Sequence, residues 1–302
     1  MSEIPTGVEL YIPEDLGEQN VIVAVSGGPK TGKSNFATHV QRPLYYVMLD
    51  THDNIRALLA DADTAFEGPV YIKRIRSMRY DQLTEQRAQA ILDEVEDFAA
   101  WARTEARIAK SEGRPTGTFV LDGMKRFKGY VEKAKLGESI TLGWRPTRGG
   151  SSISRFEYAE ANTYLVDFLA AFTNTPLDVV VTFEGTRKYV GNDRTDEFRS
   201  GAPDGVGYVV NAEVITMMDK EPIVANQQVV GYRTVPKMKI VFNAFSPFLN
   251  DRVMKGQTLD ELKSMFGLDP VQAEEKLDAV DATHEPALVD PFGATTTEPS
   301  VS

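Results

Sequence analysis

Apolar residues fall in short unbroken runs, separated by polar segments whose apolar positions recur at three and four. Val21 to Val25 (VIVAV) is such a run, and it ends in Ser-Gly-Gly-Pro. An unbroken run of this length is what a strand buried on both faces of a parallel sheet requires. A helix is predicted from Lys33. Leu44 to Leu49 (LYYVML) reads as a second buried strand ending at Asp50, and Val70 to Ile75 as a third, alternating one. A long helix is then predicted, capped by Asp81. Its Ala88, Ile91, Leu92, Val95, Phe98, Ala102 and Ala106 make one stripe that packs on a sheet. Thr118 to Leu121 is a strand ending at Asp122. A polar, Gly-rich stretch follows as far as Gly150.

Ser154 and Glu157 form a capping-box pattern for a helix carrying Ala161, Leu165, Phe168 and Phe172 on one face. Asp178 to Thr182 (DVVVT) is another buried strand. From Tyr208 the pattern changes to strands without helices: Tyr208–Met217, Val229–Thr234 and Lys237–Ala244. A helix over Thr258–Phe266 closes the pattern, with Gly267 as its left-handed cap. Strand and helix alternate and antiparallel strands follow. The fold class is therefore α/β: a mostly parallel sheet flanked by helices and extended on one edge by antiparallel strands. Residues 1–20 read as an N-terminal extension in which Val8–Ile12 adds a strand to its own sheet or to a neighbour's. Residues 21–268 read as the core and 269–302 as a disordered tail with a short helix over 271–281.

Composition sharpens this. The 302 residues hold no cysteine, which excludes disulfides, thiolate catalysis and Cys-ligated metal. No apolar run reaches bilayer length and no signal-peptide core precedes the first strand, so an intracellular protein with no membrane partner is expected. The net charge is −11. Eight acids and one lysine between Asp269 and Ser302 account for −7 of it, leaving −4 for the rest. The acidity is a property of the tail and does not argue against an anionic ligand for the core.

The strongest chemical signal is Gly27-Gly28-Pro29-Lys30-Thr31-Gly32-Lys33-Ser34, which fits G-x-x-x-x-G-K-[ST] after a buried strand and before a helix. Glycines let backbone N–H groups converge on phosphate oxygens, and the helix start adds partial positive charge. Lys33 reaches the β and γ phosphates and the Ser34 hydroxyl ligates Mg²⁺. Lys30 adds charge inside the loop or faces solvent. Asp122, at the end of an apolar strand, supplies the carboxylate that such a site needs for its Mg²⁺. ATP and Mg²⁺ are thus the expected cofactors. No N-K-x-D base-reading motif of GTPases is present.

The phosphate loop, the Asp122 strand, the strand ending at Glu184 and the run Val235-Pro236-Lys237-Met238-Lys239 before Phe245-Ser246-Pro247-Phe248 together resemble the RecA recombinase superfamily. Within it they are similar to short phage-encoded ATPases of single-strand annealing. The resemblance spans about residues 20–250 and implies a RecA-like P-loop NTPase core and a cytoplasmic protein, in the host's cytoplasm if phage-encoded. It implies that Glu184 stands where the family has a polar γ-phosphate sensor. It also implies that Lys237 and Lys239 reach a neighbouring subunit's ATP site, as arginine fingers do. Their plain alternative is two exposed lysines on an edge strand. The family's catalytic glutamate position is held by His52, with Asp53 and Glu184 as other candidates for orienting water.

Two segments are the expected DNA contacts. Lys125, Arg126, Lys128, Arg145 and Arg148 stand in a basic stretch interleaved with Phe127, Tyr130 and Trp144, a composition that tracks phosphates and stacks bases. Arg187 and Lys188 open a second loop, Gly185–Gly207. The expected function is a single-stranded-DNA-stimulated ATPase of recombination or annealing, acting as a homo-oligomeric ring or filament. A nucleotide-gated interaction module with little turnover and a small-molecule P-loop kinase are the alternatives.

Overall fold

The computed structural model describes residues 20–49, 55–62, 66–76, 78, 82–136, 155–190, 193–199, 201–202, 206–225, 228–245, 247–256, 258–266, 272 and 276. Six strands run parallel: β1 (Ile22–Gly27), β2 (Leu44–Met48), β3 (Val70–Arg74), β4 (Thr118–Asp122), β5 (Asp178–Glu184) and β8 (Ala212–Ala225). β9 (Gln228–Asn243) and β10 (Val253–Lys255) add antiparallel to β8, giving the order β10-β9-β8-β1-β5-β4-β2-β3. β6 (Thr186–Val190) and β7 (Asp193–Arg199) form a separate hairpin.

Alternation along each strand splits the core into two layers. Ile22, Ala24, Tyr45, Val47, Phe119, Leu121, Val179 and Val181 face one side. There they meet α3 (Glu85–Ser111), α4 (Met124–Leu136) and α5 (Arg155–Ala170). Val23, Val25, Tyr46, Val120 and Val180 face the other. That side is covered by α1 (Lys33–Thr38), α2 (Ile55–Ala62) and α6 (Leu259–Lys263). Both faces are covered, which is why β1, β2, β4 and β5 are uninterrupted apolar runs. No helix among the described residues is long and apolar enough to cross a membrane.

The expected α/β architecture is present, and several local expectations are corrected. α3 starts at Glu85, not after Asp81: Thr84 takes the N-cap, its Oγ1 accepting from the Arg87 N–H at 3.2 Å. Tyr208 belongs to a 3₁₀ turn, and β8 begins at Ala212. The two strands expected after Val229 are one strand, β9, which runs through Pro236. That proline is tolerated where pairing with β10 stops, at Lys255 opposite Lys237. Lys237 and Lys239 therefore lie on an inner strand, and β10 forms the edge. The second loop folds as the β6–β7 hairpin. Part of the first basic stretch is helical, as α4. α6 opens with a capping box that the sequence reading did not single out: the Thr258 N–H donates to Glu261 and the Glu261 N–H to Thr258 Oγ1. Ser154, the Gly267 cap and the tail helix lie outside the described residues, save for isolated positions 272 and 276.

Candidate nucleotide-binding site

β1 delivers the phosphate loop to the carboxyl end of the sheet, where open α/β sheets bind ligands. Gly32 is left-handed (φ 99°) and starts α1. Lys30 is also left-handed, at φ 60°. Gly27 has no room for a side chain: a Cβ would lie 2.4 Å from Thr31 Oγ1 and 2.6 Å from Thr216 Oγ1. α1 has only six residues, so its value to an anion lies in its first N–H groups rather than in a long macrodipole. The Lys33 ammonium donates to the carbonyls of Gly27 (3.0 Å) and Gly28 (2.7 Å), which tether it to the loop. Thr31 Oγ1 donates to the Gly28 carbonyl at 2.9 Å and lies 3.0 Å from Thr216 Oγ1, bracing the loop against β8.

Asp122 comes from β4, two strands away across β5, and its carboxylate is buried. Ser34 Oγ donates to Asp122 Oδ2 at 3.5 Å. Tyr46 of β2 also donates to Oδ2, and Thr182 of β5 donates to Oδ1. Thr182 Oγ1 in turn accepts the Gly123 N–H at 2.9 Å. The hydroxyls of Tyr46 and Thr182 thus fix the two carboxylate oxygens beside the serine. A hydroxyl and a rigid carboxylate in contact, at the end of a loop of N–H donors, fit Mg²⁺ carried in with nucleotide phosphates. No cluster of three or more His, Cys, Asp or Glu that would hold a metal alone occurs among the described residues. Sequence reading missed Tyr46, Thr182 and Thr216. The one available signal was Tyr46 itself, since a phenol in a strand buried on both faces needs a polar partner.

The phosphate loop, Asp122 and Thr182 line a cavity of about 630 Å³, within the range of small-molecule sites. All of Gly27 and Pro29 to Ser34 border it, as do Asp122, Lys125, Arg126 and Glu184. Lys125, on the first turn of α4, forms an ion pair with Glu184 at the end of β5. Glu184 is followed by Gly185, whose N–H donates to the Gly27 carbonyl at 2.8 Å. Gly201, at the far end of the hairpin, donates to Ser26 Oγ at 3.1 Å. The hairpin is therefore stapled at both ends to the base of the phosphate loop.

The remaining predicted residues divide. Phe127 and Tyr130 are buried in the core, so they are not stacking platforms for bases. Lys128 pairs with Glu132, whose carboxyl is pushed up by burial more than Lys128 lowers it. Lys237 pairs with Asp219 (2.9 Å) and Glu221 (3.3 Å), and Lys239 with Asp251 (2.8 Å). The hydrogen bond that Lys237 donates to Asp219 raises the Lys237 ammonium above the ordinary lysine value, and the same bond lowers Asp219. Neither lysine borders the cavity. Arg187 lies on β6, as does Lys188, whose side chain is outside the described residues. His52, Asp53, Arg145, Arg148 and Trp144 also lie outside them.

No protein-family model matches this chain, and no curated protein matches it. Among solved structures it is similar to the KaiC-like protein PH0186 from the hyperthermophilic archaeon Pyrococcus horikoshii OT3. Identity is 11%, the match covers 74% of this chain and 78% of that one, and the TM-score is 0.32. At that score the likeness carries no argument, and the reading of the site rests on its own geometry.

Proposed function

We propose that this chain is a Mg²⁺-dependent ATPase of the RecA-like kind whose turnover responds to single-stranded DNA. The observation that supports it best is the contact of Ser34 with Asp122, 88 residues apart in sequence, beside Lys33 and a complete phosphate loop. The N–H groups of Gly28 and of residues 30–34 cradle the phosphates, Pro29 having none to give. Lys33 exchanges its two carbonyl partners for β- and γ-phosphate oxygens, which are stronger, charged acceptors. Ser34 and Asp122 hold Mg²⁺, which neutralises charge between those phosphates. Tyr46 and Thr182 keep Asp122 oriented. Glu184 is the cavity-lining carboxylate beyond Asp122 that orients water for attack, an office for which His52 and Asp53 also stand as candidates.

Single-stranded DNA as partner, and a ring or filament of copies as the working form, belong to the same proposal. Their support is the resemblance and the basic residues next to the site. Lys237 and Lys239 serve a neighbouring copy's site only by leaving Asp219, Glu221 and Asp251. The test is phosphate release from Mg²⁺-ATP, with and without single-stranded DNA, at two salt concentrations. The expected result is DNA-stimulated turnover that fades with salt and is abolished by Lys33→Ala. Turnover that ignores DNA at low salt overturns the DNA part, and loss of ATP binding by the unaltered chain overturns the whole.

A further inference from the structure

The cavity has a polarity. Ser34 and Asp122, which would hold Mg²⁺ and with it the terminal phosphates, lie on the β5–β4 side of the loop; Met218 of β8 borders the cavity on the opposite side of β1. Lys125 and Glu184 stand on the metal side. Lys125 follows Asp122 by three residues, through Gly123. The left-handed Gly123 (φ 103°) and its N–H bond to Thr182 make that corner rigid. The backbone under Lys125 is therefore fixed relative to Asp122, while its side chain is free to swing. That side chain is 70% exposed, and its partner Glu184 is 60% exposed.

We propose that Lys125 contacts the γ-phosphate in cis, exchanging Glu184 for it, and so makes the site distinguish ATP from ADP. This rests on the nucleotide reading given above. An ion pair between two exposed side chains contributes about 0–1 kcal/mol and holds the ammonium weakly. The terminal phosphoryl group of ATP carries more negative charge than one carboxylate and offers three acceptor oxygens. ADP ends one phosphate short and leaves Lys125 on Glu184. When Lys125 moves to the phosphate, Glu184 loses its counter-ion beside the reacting end of the nucleotide. Its backbone neighbour Gly185 is bonded to Gly27 and opens the β6–β7 hairpin. The exchange thus changes charge at the root of that hairpin only when the third phosphate is present. The role differs from the DNA contact expected from composition, because Lys125 borders the nucleotide cavity.

Calorimetric titration of the full chain with Mg²⁺-ATP and with Mg²⁺-ADP tests this. In Lys125→Ala the ratio of ATP to ADP affinity falls by about tenfold or more, the usual effect of losing a hydrogen bond to a charged group. Lys125→Arg restores most of the ratio. Lys110→Ala, an exposed lysine in the last turn of α3 that does not border the cavity, leaves it unchanged. Lys125 is well exposed, so its truncation does not threaten folding. An unchanged ratio in Lys125→Ala, with ATP still bound, overturns the assignment of Lys125 alone. A chain that binds neither nucleotide before any substitution overturns the nucleotide reading, and this inference with it.

Discussion

Thr182 shows how much of the site depends on one hydroxyl. It donates to Asp122 and accepts from the Gly123 N–H, and both partners are buried. Thr182→Val preserves shape and strands that N–H. The expected cost is about 1–3 kcal/mol of stability, read as a lower urea midpoint at unchanged slope. Mg²⁺-dependent ATP affinity falls as well, because Asp122 loses one of its three hydroxyl donors. None of this was legible from residue 182 alone, since threonine is ordinary in a strand. The phosphate loop was legible because its function depends on backbone conformation and residue types within eight consecutive positions. Tyr46, Thr182 and Thr216 reach the same place from three other strands, and only the strand order brings them together.

Elements announce themselves when a local rule sets their ends. The Thr258–Glu261 capping box is such a case: reciprocal bonds close the first turn of α6. Thr258→Ala costs about 1 kcal/mol by thermal or urea denaturation. Its effect on nucleotide binding is nil, because α6 lies away from the phosphate loop, with Lys263 bonded to Asp178 at the opposite end of β5. α4 was the harder case. Met124, Phe127 and Val131 recur at three and four, a helical stripe, and all three are buried. The abundance of cations between them gave the look of a binding loop. What the cations occupy is the other face of a helix whose apolar face packs against α3, α5 and β5. The β6–β7 hairpin was hidden differently: its strands are polar, and pairing with each other rather than with the main sheet leaves no buried run to read.

At the scale of the molecule, charge is unevenly placed. The segment from residue 269 carries −7 and residues 1–20 carry −5, while the core, residues 21–268, carries +1 and presents Lys125 and Arg126 at the carboxyl end of the sheet. An acidic segment tethered to the same chain competes with an anionic ligand at high effective concentration. Deleting residues 269–302 is expected to tighten single-stranded DNA binding at low salt, with the difference vanishing as salt screens both terms. Equal affinities of the two chains in a low-salt titration would contradict this.

The sequence by itself determined the alternation of strand and helix, the covered character of the central strands and the phosphate loop. Each is written in contiguous residues, through periodicity or through backbone conformations that glycine permits. Tertiary structure decided which strands are neighbours, that β9 is interior and β10 the edge, and that Asp122, held by the hydroxyls of Tyr46 and Thr182, meets Ser34. It also decided that Lys125 and Glu184 pair at the border of the cavity. Those are contacts between residues dozens of positions apart, fixed by burying both faces of one sheet at once, and no local pattern encodes them.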